Sequence, residues 1–234
     1  VFSSTHLVHL GFIPLLASGK IPGFEISDDS SPIFILDKSV HASIQINRGL
    51  MEQFGRVEMV DLHDLVSLEE KLSLAKTNGL TPIIMCDSVG SMGGVLPIDQ
   101  LLQMVNNFSG YLYLDDAHGM SAIGANGAGY AIDKFGGVLP ERIILTTSLA
   151  KAFGTYGGVV ALANKDAIYF IKKYCSTYIF SGPPINPLIN ASIESAQIHL
   201  SPELLTLQQR LYDNLKLFDQ LILNKDRIIN AYSK

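Results

Sequence analysis

The chain has 234 residues, a length within the range of a single α/β domain. Hydrophobic residues make up 47% and charged residues 17%, which supplies a sizeable core and argues against disorder. A net charge of −5 without any basic cluster argues against nucleic acid and anionic membrane surfaces as main partners.

In chain order, residues 2–6, FSSTH, read as a helix entry. Ser3, Ser4 and Thr5 can cap it, and an apolar helix follows to about Ala17. That apolar run is too short to span a bilayer and no basic region precedes it, so it reads as a core helix. Its free N–H groups suit a phosphate, although plain capping explains the same residues. Residues 31–36 form a short strand, followed by DKSVHAS at 37–43, with His41 at a helix start. A lone histidine there also reads as a structural residue. Residues 57–60 predict a strand. Residues 65–75 predict a helix with acids early and lysines late, as the helix dipole favours. Residues 81–86 form a buried strand that ends in the loop DSVGSMGG. Residues 97–108 predict a helix with a proline at its start.

The next strand, YLYLDD at 111–116, ends in acids and is followed by Ala117 and His118. In open α/β sheets, ligands gather at the carboxyl edge of the strands. Acids at a strand end can also simply cap the next turn. The loop GANGAG at 124–129 lacks a suitably patterned helix directly behind it, so it is no dinucleotide fingerprint. Residues 142–147 and 157–163 are apolar strands flanking a small-residue loop with one lysine, Lys151. A lysine among apolar neighbours loses proton affinity, and its neutral amine attacks aldehydes; the same lysine can also snorkel into water. Together, an acid, a histidine three residues on and a downstream lysine suit pyridoxal 5'-phosphate. The carboxylate keeps the pyridine nitrogen protonated, the histidine meets the phenolic oxygen, and the lysine holds the aldehyde as an imine. Residues 167–178 predict a helix, 179–187 a proline-rich connection, and 189–200 and 204–223 two further helices. Cys86 and Cys175 have no metal-type spacing and read as reduced thiols in a cytoplasmic protein. The alternation predicts a three-layer α/β/α fold around a seven-stranded, mostly parallel sheet.

DDAHGMSAIGANGAG followed by TTSLAKAFGTYGG resembles the α-oxoamine synthases, pyridoxal-phosphate enzymes of fold type I. These include 8-amino-7-oxononanoate, 5-aminolevulinate, 2-amino-3-ketobutyrate and serine palmitoyl synthases or ligases. FSSTHLVHLGFIPLLA, DKSVHASI, DSVGSMGGVLPI and IFSGPPINP extend the resemblance, in order, from residue 2 to about 187. It implies an aspartate aminotransferase-like large domain over 1–203. A helix over 204–234 would lead towards a small domain that lies mostly outside the chain, as does an N-terminal segment, so the chain reads as a fragment. The implied reaction condenses an amino acid with an acyl-CoA to give an α-aminoketone. The resemblance casts Lys151 as imine lysine and proton-transfer base, Asp115 as pyridinium partner, and His118 and Ser91 as tuners of the phenolic oxygen. His41 stacks on the ring, and Ser148 binds phosphate. Thr5 and His6 stand where the family has a glycine and an aromatic residue, Val40 where it has an asparagine, and Gly93 where it has an acid. Ser181 reaches the partner's site in a homodimer. An aminotransferase, or a truncated protein that folds without catalysing, remains the alternative.

Overall fold

The structure is a computed structural model that describes residues 1–92 and 94–222. Gly93, the end of the helix expected over 204–223, and the rest of the second unit expected to 234 lie outside the described residues.

Six strands form one sheet: β1 (Ser31–Asp37), β2 (Arg56–Val60), β3 (Leu80–Asp87), β4 (Tyr111–Asp115), β5 (Ile143–Ser148) and β6 (Gly158–Ala161). Their order is β2-β1-β3-β4-β5-β6. All neighbours are parallel except β5 and β6, which are antiparallel and pair Thr146 with Val160. The sheet has six strands among the described residues where seven are expected, because the chain offers only six strand-like apolar runs. β3 and β4 bury nearly every residue, as central parallel strands covered on both faces must.

Side chains alternate across the sheet and make two cores. Phe34, Met85, Tyr113 and Ile144 point to the face covered by α1 (Thr5–Ala17) and by the short helices α2 (Ala42–Gln45) and α3 (Arg48–Met51). Ile35, Cys86, Leu114 and Leu145 point to the other face, under α4 (Leu65–Thr77), α5 (Ile98–Asn107) and α6 (Tyr130–Lys134). α5 shows why it sits there: Ile98, Leu101 and Val105 are buried at helical spacing while Asp99 and Gln100 face water.

The helix expected over 167–178 is two helices, α7 (Lys165–Tyr174) and α8 (Ser176–Phe180), broken at Cys175, which is extended with ψ 108°. Tertiary contact overrides the helical period. The Thr177 hydroxyl donates to the Leu7 carbonyl of α1 at 2.6 Å. Gly11 lets the two helices meet, since a Cβ there would lie 1.9 Å from Thr177 Oγ1. The loop at 124–129 also differs from expectation. α6 follows it directly, and the Ala131 N–H at the start of α6 donates to Asp116 at 3.1 Å. α9 (Asn186–His199) and α10 (Glu203–Leu221) complete the described chain. Helix bounds elsewhere agree with the sequence reading to within a few residues.

Candidate active site

β1, β3 and β4 each end in a buried acid at the sheet's carboxyl edge: Asp37, Asp87 and Asp115. Asp37 is spent on structure, accepting from Ser39 N–H at 2.8 Å and Leu62 N–H at 3.0 Å. Asp87 and Asp115 are register partners on neighbouring parallel strands, so their side chains share the α1 face. Asp116, one residue later, turns to the opposite face. There it accepts from the Ser88 hydroxyl and the Ala131 N–H, and burial pushes its pKa up to about 6.

Asp115 is held by two donors. Ala117 N–H reaches Oδ1 at 3.0 Å, and His9 Nε2 reaches Oδ2 at 3.2 Å. A carboxylate only accepts, so His9 Nε2 donates to it, and His9 Nδ1 is hydrogen-bonded to the Tyr113 hydroxyl at 2.8 Å. Tyr113 and His9 are fully buried, so the chain Tyr113–His9–Asp115 is fixed inside the core.

Lys151 sits on a turn closed by Leu149 N–H to Gly157 O at 2.9 Å, Thr155 N–H to Leu149 O at 2.8 Å and Gly154 N–H to Lys151 O at 2.9 Å. The residue is exposed, and its nitrogen lies 2.8 Å from His118 Nε2. Burial lowers the Lys151 pKa, and the charges of Asp115 and Asp87 oppose that effect. Burial and the Lys151 charge lower the His118 pKa. A neutral imidazole accepting from the Lys151 ammonium satisfies both shifts.

His41 caps α2 with its own ring: Nδ1 accepts from Ser43 N–H at 3.2 Å, while the His41 backbone N–H points to Asp87 Oδ1 at 3.4 Å. Thr5, at the first turn of α1, donates to the Thr147 carbonyl at 3.3 Å, which seats the helix N-terminus beside the end of β5. Gly158 permits that approach, since a Cβ there would lie 2.5 Å from Thr5 N. Ser148 is buried and accepts from Ala150 N–H at 3.2 Å. His6 is exposed on the same first turn.

The structure therefore gathers Lys151, His118, Asp115 and His41 at one edge, with Thr5, His6 and Ser148 on the elements beside it. It does not join Ser91 or Ser181 to them. Ser91 is exposed on the loop after β3, with no side-chain hydrogen bond to His118 or Lys151 among the described residues. Ser181 is exposed after α8 and donates to the Thr177 carbonyl.

The aminotransferase class I and II family matches residues 42–230. The chain belongs to that family. Among curated relatives, 8-amino-7-oxononanoate synthase of Methylococcus capsulatus is 30% identical over 184 residues, covering 77% of this chain and 43% of that protein. The non-specific mitochondrial 5-aminolevulinate synthase of Bos taurus is 28% identical over 227 residues, covering 96% of this chain and 32% of that protein. The chain spans about half the length of such relatives, or less. Among solved structures, 8-amino-7-oxononanoate synthase from Francisella tularensis superposes with a TM-score of 0.73 at 22% identity, over 98% of this chain and 61% of that one. Serine palmitoyltransferase from S. paucimobilis, with bound PLP-myriocin, superposes with a TM-score of 0.72 at 23% identity, over 92% and 49%. At such identities the superpositions establish the fold.

Within this class I and II aminotransferase fold, three features escaped the sequence reading. Asp87 could have been found, because it ends β3 as Asp115 ends β4. His9 and Tyr113 gave no signal, being spread over an apolar helix and an alternating strand. The third is the brace on the lysine turn. From α9, Ser195 Oγ donates to Phe153 O at 2.6 Å, Ser192 Oγ donates to Thr155 Oγ1 at 3.1 Å, and the His199 ring lies 4.8 Å from that of Phe153. Such contacts join segments far apart in sequence and follow no local period.

Proposed function

We propose that the chain carries the cofactor-binding part of an α-oxoamine synthase, a pyridoxal-phosphate-dependent acyltransferase that joins an amino acid to an acyl-CoA. The observation that carries this reading is the Lys151–His118 pair set beside the buried, doubly held Asp115 at the sheet's carboxyl edge. The donor set fits pyridoxal phosphate. A lysine amine of lowered proton affinity suits the aldehyde, a buried carboxylate suits the pyridine nitrogen, and the N-terminus of α1 beside Ser148 suits the phosphate. Ser4 caps Leu7 N–H at 3.3 Å, and helix geometry leaves the N–H groups of Thr5 and His6 without intrahelical partners. The resemblance of DDAHGM and TTSLAKAFG to α-oxoamine synthases, together with relatives of that class, supports acyl transfer over amino transfer.

When bound, pyridoxal phosphate supplies a ring that accepts electrons from the carbon undergoing reaction. The protein's own groups do the rest. Lys151 offers its amine to the aldehyde end, and the neutral His118 at 2.8 Å can take the proton that the amine must first lose. Asp115 is held in orientation because the His9 ring and Ala117 N–H meet one oxygen each. His41 stands on the turn whose backbone N–H meets Asp87, a position that suits contact with the ring. We place the protein in the cytoplasm as a homodimer. Its two cysteines are free and buried. Ile179, Phe180 and Ile185, around Ser181, expose an apolar surface that a partner could cover, with Ser181 reaching the partner's pocket.

The test is spectroscopic and chemical. Purified protein incubated with pyridoxal 5'-phosphate should gain a visible absorption band that Lys151→Ala lacks. Release of coenzyme A should then require an amino acid and an acyl thioester together. Amino-group transfer to an oxo acid without any thioester requirement would overturn the acyltransferase reading.

A further inference from the structure

Asp87 is the only residue among those described with a buried side-chain polar atom that has no hydrogen-bond partner. The residue is 5% exposed, and its free Oδ2 lies on the face shared with Asp115. A structural acid at a strand end normally uses both oxygens, as Asp37 does on the neighbouring strand β1. An orphaned carboxyl oxygen in that position costs stability unless the group is neutral or a ligand meets it. The groups facing it are Asp115 from β4, Asp37 from β1, the His41 N–H from the turn before α2, and Lys151 from the lysine turn. Two of these are like charges on neighbouring strands. The His41 contact is long, and the Lys151 charge is already engaged with His118.

We propose that Asp87 and Asp115 form a carboxyl pair that carries one proton before the cofactor binds, and that this proton is released when the positively charged pyridinium of incoming pyridoxal phosphate docks. Water is the acceptor. The O–H bond of the Asp87 carboxyl breaks, its electron pair stays on oxygen, and the proton leaves to solvent. The pair goes from one negative charge to two, which balances the positive charge that the ring brings with it. Burial first, then repulsion from Asp115, pushes the Asp87 carboxyl up to about 7, so the proton is present at pH 6. His9 and the Ala117 N–H both donate to Asp115 while Asp87 Oδ2 meets no donor, which makes Asp87 the member that keeps the proton. The role of Asp87 is thus to hold one proton in the cofactor-free site and to give it up when the charge of the ring arrives. The inference rests on the proposed pyridoxal phosphate site.

Calorimetry of pyridoxal 5'-phosphate binding at pH 6, in buffers of different ionisation heat, reads the protons taken up per site. Asp87→Asn keeps the shape and loses the proton, so it should take up close to one proton more than the unaltered chain. Infrared spectroscopy of the unaltered chain offers a second reading that needs no variant. The protonated-carboxyl band should weaken when the cofactor is added at pH 6. Equal proton uptake in the two proteins, or a carboxyl band that the cofactor leaves unchanged, overturns the proton release while leaving the proposed function standing. No binding by the unaltered chain overturns both.

Discussion

At the scale of single residues, adjacency decides roles. Asp115 and Asp116 are neighbours on an extended chain, so they serve opposite faces of the sheet. Asp115→Ala should cost the ring-nitrogen partner and lower turnover by about 10²-fold or more, the scale seen when one preorganised charged or polar group is lost. Asp116→Ala should leave cofactor binding largely intact. It strips the Ala131 N–H and the Ser88 hydroxyl of their acceptor and should destabilise the fold by about 1–3 kcal/mol. Paired cofactor titrations and denaturant melts separate the two effects, and the reverse pattern would exchange the assignments. The same two strand ends set a pH dependence. Asp87 and Asp116 titrate near 7 and 6 in the folded chain, raised mainly by burial from an ordinary value near 3.8. A carboxyl raised by folding binds its proton more tightly in the native state. Its contribution to stability is therefore complete below the unfolded value and is lost as pH rises through the folded one. The urea midpoint of the cofactor-free protein should fall between pH 5 and pH 8, and Asp87→Asn should flatten that fall. An unaltered slope in the variant would contradict the assignment of Asp87.

At the scale of elements, the site depends on close approaches that only small residues permit. Gly158 on β6 lets the N-terminus of α1 lie against the sheet, with the strand and the helix entry bonded through Phe2 N–H to Gly158 O at 2.7 Å. Gly158→Ala should push Thr5 N away, destabilise by about 1–3 kcal/mol as overpacking does, and weaken phosphate affinity. Inorganic phosphate competition against pyridoxal phosphate reads the second effect, and an unchanged affinity would place the phosphate elsewhere. The brace from α9 has a separate reading. Ser195→Ala frees Phe153 O and should loosen the lysine turn, raising hydrogen exchange at 149–157 more than elsewhere. The strands, the core helices and the DDAH and Lys151 motifs were legible in the sequence, because hydrophobic period and strand-end chemistry are local signals. The split at Cys175 and the bracing by α9 were not, since Thr177 and Ser195 act on partners far away in sequence. Likewise, His9 was hidden in an apolar run, although it holds one oxygen of the buried Asp115.

At the scale of the molecule, the described helices do not cover one another fully. α10 buries Leu204 yet exposes Leu205, Leu217 and Leu221 at 65%, 53% and 70%. A groove of about 660 Å³ runs between α10 and the loop at 122–124, lined by Val95, Tyr130 and Leu215 among others. No described helix is long and apolar enough to cross a membrane. We propose that α10 leads towards a second domain that covers these exposed apolar faces. The chain spans about half the length of its curated relatives or less, and we expect condensation to need the remainder. Sedimentation should show a dimer, and coenzyme A release should be weak for this chain and strong for one carrying the relatives' full span. A monomer with full activity would contradict both expectations.

The most direct test of the account is to trap the cofactor on the protein. After incubation with pyridoxal 5'-phosphate and reduction with borohydride, peptide mapping should find the phosphopyridoxyl group on Lys151, with none retained by Lys151→Ala. A label on another lysine, or no label on the unaltered chain, would contradict the account.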